Sequence, residues 1–369
     1  MMHLGCARRL LSTACPRRTA RIDKLPDGYR ADKIIAALKA SPVESVIPLK
    51  NHLLLRFFDE STARRCVEGN VGGYSVRMDE EPEPRLSAYV VAALGLEDAS
   101  RTLSIMNPPK EKRALLGEME GLQWTRIENG RFEYRFWGVV DACRVFSRYN
   151  AVKGAVFIFV PDDKDEYMFP SWYPRGEFLV GKVERNVLVS NIQNGETLRI
   201  LGERVAEFDA HGFLLKAHYE RKTKAMKVVL ATSGHAKQFL EACKDLGDVE
   251  LSYQEDNDPR WISRGMITAL TLGARRSISL SVPSEHRSSM TAYRSFFSQY
   301  GALRPQSSED DGPEELRLHF ESILGAMKAV MLTEATFEGA SITFLGARDL
   351  APYRLTHVGR RQHWRLPVP

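Results

Sequence analysis

Between residues 186 and 254 the spacing of apolar residues switches between period two and period 3.6, and each switch marks an element. NVLVSNIQ (186–193) alternates as a strand does and runs into a turn. TLRILGERVAEF (197–208) places Leu198, Ile200, Leu201 and Val205 on one side of a predicted helix. HGFLLKAHYER (211–221) and AMKVVLAT (225–232) read as two strands around a basic turn. GHAKQFLEACKDLG (234–247) is a second predicted helix that Gly247 closes, and VELSYQ (249–254) is a last strand.

The same β-α-β-β-α-β order occurs three more times, with first strands near 20, 103, 187 and 278 across the set. The first copy runs RIDKLP, ADKIIAALKA, VESVIPL, HLLLRFF, ESTARRCVEG, YSVRM. The second runs TLSIMNPP, KEKRALLGEM, WTRIEN, FEYRFW, VVDACRVFSRY, AVFIFV. The fourth runs SISLSVP, SSMTAYRSFFSQY, ALRPQSS, EELRLHF, SILGAMKAVML, SITFLG. In each copy a bulky residue closing the third strand is followed six positions later by a helical alanine: Phe57/Ala63, Phe136/Ala142, Leu230/Ala236 and Phe320/Ala326. That spacing fits a core residue facing a close helix–sheet contact.

This order is the split β-α-β, ferredoxin-like unit. The predicted fold class is therefore α+β: four tandem ferredoxin-like repeats, each with a four-stranded antiparallel sheet. With its Phe-to-Ala spacing and the strand–turn pieces LVSNIQ and LSIMNPP, the chain resembles the RNA recognition motif family over roughly 270 of its 369 residues. The predicted organisation is a leader at 1–22, repeats at 20–79, 101–161, 186–254 and 276–346, linkers at 80–100, 162–185 and 255–275, and a basic tail at 347–369.

The resemblance implies that bases stack on outward aromatics of the first and third strands of each open sheet face. The Phe-to-Ala spacing sets which residues point outward. On the third strands these are Lys50, His52, Leu54 and Arg56; Asn129, Arg131, Glu133 and Arg135; Thr223, Ala225, Lys227 and Val229; and Pro313, Glu315, Arg317 and His319. Phe132, Tyr134 and Phe136 then point into the core. The first-strand ring sites hold Arg21, Ser104, Leu188 and Ser279, so of all the expected ring sites only His52 carries a ring. Either the faces bind RNA through Arg and Lys with rings supplied elsewhere, or some repeats serve as protein-binding or spacer modules.

Charge changes this picture when it is counted locally. Overall there are 52 basic and 47 acidic residues, a net charge of +5. Residues 1–22 hold Arg8, Arg9, Arg17, Arg18 and Arg21 and no Lys, Asp or Glu, and without them 47 basic residues face 47 acidic ones. This Arg-rich, acid-free stretch, with Leu4, Leu10 and Leu11 forming an apolar stripe, reads as a mitochondrial presequence and implies a matrix location. Repeat by repeat the balance is +1 over 23–79, +4 over 101–160, zero over 186–254 and −3 over 276–346. Phosphate binding needs clustered cations, which favours the second repeat and disfavours the fourth.

Other candidate contacts lie outside the sheet faces. The hairpin HYERKTKAMK concentrates Arg221, Lys222, Lys224 and Lys227 against Glu220. The tail interleaves Arg348, Arg354, Arg360, Arg361 and Arg365 with Tyr353, His357, His363 and Trp364, a mixture suited to single-stranded RNA or to docking on a partner. In the 162–185 linker Tyr167, Phe169, Trp172 and Tyr173 cluster. Exposed, they would stack bases; buried, they would lock the second repeat to the third, and the cost of leaving four rings in water favours burial. SAYVVAALG and GMITALTLG in the other linkers read as packed apolar segments, so a compact multi-repeat body is expected.

The chain is 43 % apolar and 27 % charged, which excludes a disordered or low-complexity scaffold, and it has no run long enough for a membrane helix. Cys66, Cys143 and Cys243 stand singly in predicted helices and read as small core residues in a reducing compartment. Nucleotide-binding, metalloprotease and nucleophile-elbow motifs are missing, and the nine histidines are dispersed, so neither an enzyme, a cofactor nor a metal site is expected. The RNA-binding candidates are Lys50, His52, Arg56, Arg131, Arg135, Arg221, Lys222, Lys224, Lys227, Arg360, Arg361 and Trp364. The leading expectation is a mitochondrial RNA-binding protein acting on the processing, stability, splicing or translation of organellar transcripts, with single-stranded RNA as partner. The alternatives are a protein-interaction scaffold of the mitochondrial gene-expression machinery or ribosome that does not touch RNA, and a structural subunit of a large ribonucleoprotein.

Overall fold

The computed structural model describes residues 17–39, 42–69, 73–80, 85–106, 120–128, 130–150, 156–161, 169–170, 172–174, 177, 184–247, 249–254, 262–281, 290–303, 315–334 and 341–345. The expectations placed on residues 1–16, KEKRALLGEM, most of ALRPQSS, Asn129, Pro313, Tyr167 and the tail with Arg360, Arg361 and Trp364 lie outside the described residues.

The first repeat comprises β1 (Thr19–Asp23), α1 (Ala31–Leu38), β2 (Val43–Pro48), β3 (Leu53–Phe57), α2 (Glu60–Glu68) and β4 (Ser75–Met78). After helix α3 (Ala88–Glu97), the second repeat holds β5 (Thr102–Met106), β6 (Leu122–Glu128), β7 (Arg131–Phe136), α4 (Val139–Asn150) and β8 (Val156–Phe159). The third holds β9 (Asn186–Ser190), α5 (Gly195–Ala210), β10 (Leu214–Glu220), β11 (Ala225–Leu230), α6 (Ser233–Cys243) and β12 (Glu250–Tyr253). Helix α7 (Arg264–Thr271) leads into the fourth, with β13 (Ser277–Ser281), α8 (Met290–Ser298), β14 (Glu315–His319), α9 (Ile323–Glu334) and β15 (Ser341–Phe344).

The sheets are antiparallel, in the orders β2-β3-β1-β4, β6-β7-β5-β8, β10-β11-β9-β12 and β14-β13-β15. The first strand of each repeat is central, as the ferredoxin-like unit requires. In the fourth repeat only Leu303, bridged to Phe320, stands where the second strand begins among the described residues. Alternation explains the layering: in β3 Leu53, Leu55 and Phe57 are fully buried while Leu54 and Arg56 turn outward, so the core lies between each sheet and its helices. In the third repeat Leu198, Leu201 and Val205 of α5 and Ala236, Phe239 and Cys243 of α6 close over Val187, Val189, Met226 and Val228.

The Phe-to-Ala spacing has a uniform cause. Phe57, Phe136, Leu230 and Phe320 are fully buried, and so are Ala63, Ala142, Ala236 and Ala326. Each alanine N–H closes the first helical turn, onto the carbonyls of Asp59, Gly138, Thr232 and Ser322. Each bulky residue donates its own N–H to the carbonyl of an arginine just before the first strand: Arg18, Arg101, Arg185 and Arg276. A residue at the strand end and a small residue one turn into the helix thus pin the corner of the same core.

Residues 18–22, placed in the leader on composition, belong to the first sheet. Arg18 is buried in an ion pair with Glu44 at 2.5 Å, and Ala20 and Ile22 are fully buried. Only residues before Arg18 retain the leader reading. Removing residues 1–17 takes away three arginines and leaves 49 basic residues against 47 acidic ones, so the rest of the chain, its basic tail included, keeps a slight positive balance.

The chain divides into two compact units, one built on the first repeat and the other on the remaining three. The expected compact body therefore holds for repeats two to four. Within that unit α3 packs on α7 and α9, and seven of its ten residues are buried, which is why its sequence is apolar all round rather than amphipathic. The third and fourth repeats share a buried ion pair, Arg276 Nη2 to Asp209 Oδ2 at 2.6 Å. The backbone N–H of Ala217 on β10 donates to the carbonyl of Glu321, and His218 Nδ1 lies 2.9 Å from Glu321 Oε2. Phe169 and Tyr173 are buried, as expected. Trp172 stacks on His235 and donates to Thr271 Oγ1 at 3.0 Å, so its contacts join the third repeat to α7 instead of joining the second repeat to the third.

Candidate nucleic-acid interface

Each sheet has one face turned away from its helices, and strand register fixes what that face carries. In the second repeat the loop between β6 and β7 contains Asn129 and Gly130, and Gly130 has φ +76°. Glu128 is paired with Arg131 across it, the register of a two-residue hairpin. Counting from that pair, Arg126 lies opposite Glu133 and Trp124 opposite Arg135. A bulge at Gln123 then shifts the pairing, so that Leu122 meets Phe136 on the core side. Phe132, Tyr134 and Phe136 are buried, and Trp124, Arg126, Glu133 and Arg135 consequently occupy the outer face.

The outer face of the second repeat forms three rows. The first is Trp124, Arg135 and Thr102; the second is Arg126, Glu133, Ser104 and Ile158; the third is Glu128, Arg131, Met106 and Val156. Arg135 Nη1 donates to Thr102 Oγ1 at 3.1 Å, laying its side chain across the central strand. Arg131 is exposed, Trp124 is half-buried, and Met106 and Ile158 are exposed apolar residues at the far side. Three arginines, one indole and two exposed apolar side chains thus share a surface with Glu133 and, by register, Glu128.

The other faces carry different contacts. In the first repeat Arg21 and Arg77 both hold Asp23, at 2.7 and 2.8 Å, and these hydrogen bonds, Arg21 foremost, keep the Asp23 carboxyl below its ordinary range. Arg56 Nη1 lies 3.9 Å from Glu44, which also pairs with Arg18. His52 is half-buried with Nδ1 3.0 Å from Asn51 Oδ1, and Lys50 is exposed in the preceding turn. In the third repeat Lys227 is exposed between His218 and Leu188 on the face, and Arg221, Lys222 and Lys224 project from the hairpin turn. Lys224, at φ +48°, donates to Gln193 Oε1 at 3.1 Å. In the fourth repeat the face is a closed polar network: Ser277 with His319 at 2.7 Å, Ser279 with Glu315, and Arg317 with Glu315 at 3.4 Å.

The structure therefore puts Arg131 and Arg135 on one face, and on the first sheet it separates Arg56, near the far end of β3, from Lys50 and His52 ahead of that strand. It sets Arg221, Lys222 and Lys224 at a hairpin tip, with Lys227 on the adjoining sheet. The predicted scarcity of rings on the first and third strands holds, with Phe132 and Tyr134 inward. What sequence reasoning missed is Trp124 with Arg126, on a second strand. The signal was present: Asn129-Gly130 is the dipeptide of a two-residue hairpin, and it fixes Trp124 opposite Arg135.

Among the described residues, no group of His, Cys, Asp and Glu is placed to hold a metal ion, and no helix is long and apolar enough to cross a membrane. A scan against protein-family models finds no match to the sequence, and a search of curated proteins finds none either. Among solved structures, the N-terminal three RNA-binding domains of the yeast splicing factor Prp24 are similar at 15 % identity and a TM-score of 0.19, covering 65 % of this chain and 99 % of that one. The SXL-lethal protein in complex with RNA is similar at 12 % identity and a TM-score of 0.16, covering 44 % of this chain and 99 % of that one. Scores this low bear on neither the arrangement of the repeats nor their function.

Proposed function

We propose that this chain is a mitochondrial RNA-binding protein that holds single-stranded organellar transcripts chiefly on the outer face of its second repeat. The observation that carries this reading is that Arg126, Arg131 and Arg135 share the outer side of one sheet with an indole. Guanidinium groups fixed on a rigid sheet meet phosphates at known spacing, and they supply the sequence-independent part of binding. The hairpin cations Arg221, Lys222 and Lys224 with Lys227 provide a second, smaller contact. The fourth repeat acts as a brace for the third, because its face is internally neutralised and Glu321 is committed to β10. The acid-free stretch ahead of Arg18 supports import into the organelle.

Ultraviolet crosslinking in intact cells, followed by sequencing of the RNA attached to the chain, tests both halves of this reading. Organellar transcripts are expected on the protein. Recovery of the chain from mitochondria free of RNA adducts would leave the scaffold alternative standing, and recovery only from the cytosol would overturn the location.

A further inference from the structure

We propose that Trp124 is a base-stacking platform, so that the second repeat engages unpaired nucleotides from its second strand rather than from its first and third. This rests on the RNA-binding reading above and makes its ligand more specific. The bulge at Gln123 separates Trp124 from the core-facing register of Leu122 and aims the indole to the outer side, directly opposite Arg135. Residues opposite each other in an antiparallel pair hold their Cβ atoms about 5 Å apart, so a cation and a π-face are offered together. Arg126 follows on the same face of the same strand, roughly 7 Å along. A base lying on the indole would thus have guanidinium groups on two sides, toward β7 and along β6, where its phosphates leave the ring.

Two features of this surface define the ligand. First, an indole on a flat sheet cannot reach a base stacked within a duplex, so the nucleotide must be unpaired, in a single strand or a loop. Second, stacking on a ring is tolerant of base identity, since every base presents a π-face. The exposed side chains of Ile158 and Met106 lie on the opposite half of the sheet, roughly 16 Å away, and give a second apolar rest for the same strand of RNA. With three arginines against Glu133 and, by register, Glu128, charge complementarity selects a polyanion over an apolar peptide.

The test measures affinity of the full chain for labelled, unstructured 20-nucleotide RNAs, one A-rich and one U-rich, over a series of salt concentrations. Trp124→Ala is expected to weaken binding of both by about five- to hundredfold. The slope of log affinity against log salt should stay unchanged, because no cation is removed. Trp124→Phe should retain affinity within about fivefold. Circular dichroism of each variant establishes folding, which a half-buried surface position leaves intact. If Trp124→Ala binds as tightly as the unaltered chain while Arg131→Glu with Arg135→Glu does not, the stacking platform is refuted and the basic face stands. If neither variant changes affinity, both readings fall.

Discussion

His235 carries its imidazole in a place where a charge is costly. It lies in the first turn of α6, is buried, stacks on Phe213 with ring centroids 3.7 Å apart, and supports Trp172 from the linker. Burial depresses its pKa from 6.5 to about 4. The unfolded chain takes up a proton below about pH 6.5, whereas the folded chain does so only near pH 4. Stability contributed by the neutral ring is therefore complete above pH 6.5 and is lost as the pH falls toward 4, by about 3 kcal/mol in total. Denaturant unfolding followed by tryptophan fluorescence should show this slope, and His235→Leu should flatten it; an unchanged slope in the variant would place the titration elsewhere. This residue-scale chemistry was only partly legible in the sequence. Thr232 ahead of a helix signals the cap that holds the His235 N–H, but the rings that enclose the imidazole come from positions 172 and 213, which no local pattern connects. The arginines before the first strands, buried at 18, 101 and 276 and half-buried at 185, were similarly visible as a repeated letter, yet the partner of Arg276 is Asp209, 67 residues away.

The linker helices make a similar case at the scale of elements. Their apolar sequences foretold packing but not the partner. Helix α3 ends at Asp98, whose side chain accepts the Gly265 N–H at 2.8 Å at the start of α7. The carboxylate thus meets the N-terminal end of α7, where helix amides favour an anion. The two helices approach so closely that a Cβ at Gly265 would fall on the carbonyl oxygen of Leu94, and one at Gly95 would lie 3.2 Å from Ala269 Cβ of α7 and 2.6 Å from Met327 Sδ of α9. Gly265→Ala should therefore destabilise the unit of repeats two to four by about 3 kcal/mol, because its obstacle is backbone. Gly234→Ala, in α6 with only Thr232 Oγ1 at 3.7 Å, should be neutral or stabilising by up to about 1 kcal/mol. Chemical denaturation of the two variants checks the pair, and equal effects would contradict the crossing described here. Strands and helices within each repeat were legible because half-burial imposes a period on them. The helix–helix crossing was not, since any small residue on an apolar helix reads alike until the neighbour is known.

Across the whole molecule, charge is sorted by repeat and then sorted again by face. The second repeat is positive, and its arginines stand on the open sheet. The first repeat spends Arg21 and Arg77 on Asp23, and the fourth closes its face with Ser, Glu, Arg and His. Net charge per repeat could be counted from the sequence, but which cations are held by a neighbouring carboxylate depends on register and became visible only with the sheets. The proposed binding role falls on one face of one repeat, and the third and fourth repeats are braced together through Arg276 and Glu321. The most direct test is the salt dependence of affinity for unstructured single-stranded RNA, measured on the full chain and on Arg131→Glu with Arg135→Glu. With three arginines neutralising phosphates, log affinity should fall against log salt with a slope of about −2 or steeper. The charge-reversed chain should bind at least about tenfold more weakly with a shallower slope. A flat salt dependence, or an affinity that the two reversals leave unchanged, would contradict RNA binding on this face.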